Sequence, residues 1–85
     1  MLLFLLLATV VTLSAAVIIT AAVIKNRIRN EYKEAAKALI MKKNVTTVHV
    51  GIYDVHNNKI KEMEIRSSKG VDEDVFEGQT INIKQ

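Results

Sequence analysis

Apolar positions divide the chain of 85 residues into three stretches with different periods. Residues 2–24 carry no charge, and their only polar side chains are the hydroxyls of Thr9, Thr12, Ser14 and Thr20, which can bond back to helix carbonyls. As a helix rising about 1.5 Å per residue, this stretch reaches about 34 Å and crosses a hydrocarbon core of about 30 Å. The expectation is a single-pass transmembrane anchor over residues 1–24. Within it Ala8, Thr12, Ala16 and Thr20 recur every four residues, a small-residue spacing at which helices associate in lipid. The plainer alternative is that Ala and Thr are simply common in membrane helices. A cleaved signal peptide is the rival, because Ser14-Ala15-Ala16 and Thr20-Ala21-Ala22 offer small residues before a cut. The absence of a basic n-region and the length of the apolar run count against it.

In residues 25–43 the apolar side chains of Ile28, Tyr32, Ala35, Ala36, Leu39 and Ile40 fall three and four apart, the stripe of an amphipathic helix. No Gly or Pro interrupts it, so the membrane helix is expected to continue into this one, and Lys42-Lys43-Asn44 reads as its stop. The stripe either covers a sheet or meets a partner helix or lipid.

Beyond residue 44 the period changes to two. Residues 45–55 are rich in β-branched side chains, residues 60–65 alternate, and Asn57-Asn58 suits the centre of a type I′ turn. A hairpin over residues 45–66 follows. Its register sets Val55 against Ile60, Asp54 against Lys61, Tyr53 against Glu62, Ile52 against Met63, Val50 against Ile65 and Val48 against Ser67. Val48, Val50, Ile52, Met63 and Ile65 then share one face, while His49 opposite Arg66 and Tyr53 opposite Glu62 share the other. A two-stranded hairpin is marginal in water, and residues 80–84, with Ile81 and Ile83 inward, supply a third strand after an acidic loop over residues 67–79. In that loop Gly70 and Gly78 mark turns and Val75-Phe76 an anchor to the core. The fold class expected is therefore a transmembrane helix continuing into an amphipathic helix, then a small α+β domain over residues 44–85 with a three-stranded, mainly antiparallel sheet.

Charge bears on topology. The net charge of +3 conceals an asymmetry: residues 25–43 hold seven cations against Glu31 and Glu34, whereas residues 44–85 hold five cations against seven anions. Basic charge just after an apolar span puts the N-terminus outside the cell membrane and the C-terminal domain in the cytoplasm. Lys25, Arg27 and Arg29 then meet anionic lipid head groups. Nucleic acid is not expected, since topology accounts for the charge and Tyr32 is the one aromatic residue of that stretch.

No catalytic signature is present: there is no nucleophile elbow, phosphate loop or helical His pair. His49 and His56 have no second ligand at a telling spacing, so no metal is expected, and no cofactor or small-molecule substrate either. Asp72-Glu73-Asp74 with Glu77 concentrates carboxylates but lacks the spacing and central Gly of a calcium loop, and reads as a solvated loop or a patch for a basic partner. With no Cys, disulfides and thiol chemistry are excluded.

In outline, a long N-terminal helix half in lipid followed by a small antiparallel sheet is similar to type IV pilins. The basic leader and the glutamate just inside the apolar segment are missing, and nothing functional is carried over. The function expected is that of a non-enzymatic, membrane-anchored accessory or regulatory subunit. It would present its domain to a membrane-protein partner, or to a further copy of itself, through His49, Tyr53, Glu62 and Arg66. The alternatives are a membrane-active small protein, either an oligomeric pore-former or a toxin of bacterial or phage origin, and an exported protein freed by signal peptidase.

Overall fold

The computed structural model describes residues 10–84, and within them the apolar N-terminal stretch is divided between a strand and a helix. Val10, Val11 and Thr12 are β-branched, a shape that suits a pleated strand better than a helix. They open β1 (Val10–Ser14), in which Val10, Thr12 and Ser14 are exposed while Val11 and Leu13 are half-buried. The chain then turns, and Thr20 starts α1 (Ala21–Glu31) as its N-cap, its Oγ1 accepting from the Val23 amide at 3.2 Å. Eleven residues span about 16 Å, half of what a bilayer core requires. Among the described residues no helix is long and apolar enough to cross a membrane, which overturns the single-pass anchor and the cell-membrane placement built on it. The physical reason is that an uncharged run looks the same whether lipid or protein surrounds it. Here Ile19, Ile24 and Ile28 are fully buried within the protein's own core.

The amphipathic helix expected over residues 25–43 is corrected as well. Of its stripe only Ile28 lies on α1, and Tyr32 caps that helix in extended conformation, its amide still bonded to the Ile28 carbonyl at 2.8 Å. The chain resumes as β2 (Lys37–Lys43), although Lys, Ala, Leu and Met all favour helix. Tertiary pairing overrides that propensity. β2 is bonded on one side to β3 (Thr47–Tyr53) and on the other to β5 (Thr80–Asn82), and Ala38 and Ile40 are buried between them.

With β4 (Lys59–Arg66) the sheet has five strands in the order β1-β4-β3-β2-β5, not three, and it is mixed: β1 runs parallel to β4 and the other neighbours are antiparallel. β1 and β2 therefore point the same way, and α1 crosses between them past β4 and β3. A crossover helix needs an apolar floor, and Val48, Val50, Ile52, Met63 and Ile65 form one, joined in the core by Ile81, Ile83 and Val75. Phe76, expected beside Val75 as an anchor, is exposed.

β3 and β4 pair as a hairpin, displaced by two residues from the expected register. Val50 opposes Met63, Val48 opposes Ile65, His49 opposes Glu64, and Tyr53 opposes Lys59 across an irregularity after Ile52. The cause is the turn. Of the turn's residues only Asn57 has positive φ (69°), whereas a type I′ turn needs two such residues. The chain instead closes a longer loop in which the Asp54 amide donates to the Asn58 carbonyl at 3.0 Å, and the Asp54 carboxylate accepts from the His56 and Asn58 amides at 2.9 Å. The Asn58 amide foremost, with help from the His56 amide, holds the Asp54 carboxyl below its ordinary range against the opposing effect of desolvation. A shift of two leaves every side chain on its face, because strand side chains alternate with period two.

Candidate functional site

α1 covers one face of the sheet, and among the described residues no helix covers the other. The positions of β3 and β4 on the face away from α1 are Thr47, His49, Gly51 and Tyr53, beside Glu62, Glu64 and Arg66, and of these Gly51 alone is buried. All four residues assigned to a partner surface, His49, Tyr53, Glu62 and Arg66, thus lie on this open face, though not in the expected pairs. Glu62 is the hub of its polar part: its Oε1 lies 3.0 Å from His49 Nε2, and its Oε2 accepts from Lys59 Nζ at 2.6 Å. Arg66 stands apart, its Nε 3.5 Å from Glu64 and its side chain 60% exposed.

The apolar part is built around Gly51. A Cβ at that position would come within 3.2 Å of Met41 Sδ and 3.3 Å of Tyr53 Cε1, so the thioether and the phenol ring close over the glycine from two sides. Met41 reaches it from the β2 bulge, where the register passes from Ile40–Val50 to Lys42–His49. Sequence reasoning missed both Met41 and Gly51, Met41 because its segment was read as helix. A lone Gly inside a β-branched run was the available signal, since it marks a close approach in a strand. Beside this cluster Lys37, Leu39, Tyr53, Asn57 and Thr80 line an open depression of about 200 Å³.

The ion pair makes a pH prediction. The hydrogen bond from Lys59, then that from His49, lowers the Glu62 carboxyl, and the same bond to Glu62 raises the Lys59 ammonium. The carboxylate's stabilisation is present above the ordinary Glu range and lost as pH falls through its lowered folded value. The ammonium's is present below the ordinary Lys range and lost as pH rises through its raised one. The stability gap between the native chain and Glu62→Gln, measured by urea unfolding, should therefore be level around neutrality and narrow at both extremes. A gap independent of pH refutes the coupling.

The remaining expected sites are dispersed or reassigned. Ala8 lies outside the described residues; Thr12 is on β1, Ala16 in the turn after it and Thr20 at the cap of α1, so the last three share no helix face. Lys25, Arg27 and Arg29 all lie on α1, without the spanning helix that would have set them at a membrane boundary. Arg27 Nη2 donates to the Ser14 carbonyl at 2.8 Å. The acidic run is tied into the fold: Asp74 accepts from the Ala21 amide at 3.2 and 3.3 Å, at the positive end of α1, and Glu77 accepts from the Lys43 amide at 3.1 Å. Lys43 Nζ in turn donates to the carbonyls of Asp72 and Val75 at 3.0 and 2.7 Å, holding the loop against β2. Among the described residues no cluster of three His, Asp or Glu side chains forms a metal centre. Comparison with protein families, with curated proteins and with solved structures finds no match to this chain.

Proposed function

We propose that this chain is a non-enzymatic interaction module, an accessory or regulatory subunit whose open sheet face receives a protein partner. The observation that carries the reading is the uncovered face in which Tyr53 and Met41 lie over Gly51, bordered by the Lys59–Glu62–His49 group and by Arg66. An aromatic and a thioether, with an arginine farther along the same face, are residue types enriched where interfaces form, and a polar margin around them is the usual anatomy. The size of the domain supports the same reading. Small domains bury only about 60% of their unfolded surface and gain stability from a partner.

The test separates folding from recognition. Tyr53→Ala and Arg66→Ala together should leave the circular dichroism spectrum native and the melting temperature within a few degrees. Crosslinking from a photoreactive residue at Met41 in the producing cell should lose its discrete adduct in the same variant. An adduct that survives both substitutions, or no adduct with the native face, rejects the proposal.

A further inference from the structure

A second feature lies away from the open face, where the end of α1 meets the tail of β5. Arg29, Lys33 and Lys84 line one hollow of about 340 Å³ whose floor is Ala35 and Ile83 and whose wall is Tyr32. The tail is held there by the Ile83 amide, which donates to the Ala36 carbonyl at 2.9 Å. Arg29, Lys33 and Lys84, the three cations of the hollow, form no ion pair with a carboxylate among the described residues. Three like charges at one rim repel one another, and the carbonyl end of α1 offsets that repulsion only in part. An anion seated between them relieves it.

We propose that this hollow binds a small phosphate monoester with an aromatic or similarly apolar body. A dianion matches a rim of three cations better than a carboxylate does, and Arg29 can meet two phosphate oxygens at once. The apolar body belongs against the half-buried Tyr32 ring, above the buried Ala35 and Ile83. Burial and then the charge of Glu31 raise the Tyr32 hydroxyl above its ordinary value, so it stays a neutral donor at physiological pH. The Glu31 charge beside Tyr32 opposes an anion, and it provides a control.

Phenyl phosphate is the probe, titrated into the full chain and followed by amide shifts in nuclear magnetic resonance. Saturable shifts at residues 29–35 and 83–84 are expected, with a Kd on the order of 1 mM. Lys33→Gln and Lys84→Gln should each weaken binding by up to about fivefold, the range of an exposed ion pair, and Glu31→Gln should tighten it. Inorganic phosphate should bind more weakly for lack of the ring, and phenol should not bind for lack of the charge. Absence of saturation in the millimolar range, shifts confined to other residues, equal binding of phenol, or an affinity unchanged in the Lys33→Gln, Lys84→Gln double variant each overturns the proposal. The spectrum of each variant before titration reports its fold, so a loss of binding is scored only on folded protein.

Discussion

Val50→Asp should abolish the folded state, whereas Tyr53→Asp, three residues along the same strand, should melt within a few degrees of the native chain. Val50 is fully buried in the third of five strands, with Ile40 beside it on β2 and Met63 on β4. A carboxylate there has no cation or spare donor from either neighbour. Burial of that kind raises a carboxyl pKa by up to about 3–5 units, which at neutral pH costs about 4 kcal/mol, the point at which the group takes up a proton instead, and the packing of Val50 is lost besides. A domain of this size is stable by only on the order of 5–10 kcal/mol, and the two losses together, about 6 kcal/mol, are comparable with the whole. Tyr53 points to the open face and has Lys37 opposite on β2 and Lys59 opposite on β4. An aspartate at that position meets two cations, and the loss is the ring's contact over Gly51. Thermal melts followed by circular dichroism decide between the two outcomes. The reverse order would place the strand with its faces exchanged.

The second large effect is expected at the N-terminal end of the fold. Ile24→Asp should unfold the domain, while Thr12→Lys should be tolerated. Ile24 is fully buried on the face of α1 that lies against the sheet, together with Ile28 one turn on, and an aspartate in its place would be an unpaired charge in the core. Thr12 is exposed on β1 and stands opposite Glu64, so a lysine there gains a carboxylate neighbour. In a lipid-spanning helix the same lysine would lie mid-span and cost about 2.5–3.5 kcal/mol. The pair of variants thus distinguishes strand and short helix from a continuous span by urea unfolding alone. Equal loss in both variants would contradict the arrangement of β1 and α1.

These effects mark how far the residues speak for themselves. Alternation in residues 48–52 and 63–65 determines, without any partner in view, that Val48, Val50, Ile52, Met63 and Ile65 share a face and that His49, Tyr53, Glu62 and Arg66 share the opposite one. Face membership depends only on period two and survives the displaced register. Thr20 ahead of Ala21 is likewise a local signal, since its hydroxyl needs only its own next turn. Other features were settled by contacts distant in the chain. Residues 2–24 are apolar under any reading, and only the parallel pairing of β1 with β4 and the burial of Ile24 against the sheet place a strand and the start of a helix within residues 10–24. Residues 37–43 favour helix by composition and become β2 because strands on both sides satisfy their backbone groups. The hairpin register followed the Asp54 loop and not Asn57-Asn58 alone, and the closure of Met41 and Tyr53 over Gly51 required β2 to lie beside β3. Local periodicity determines which way a side chain faces; only the assembled sheet determines what it faces.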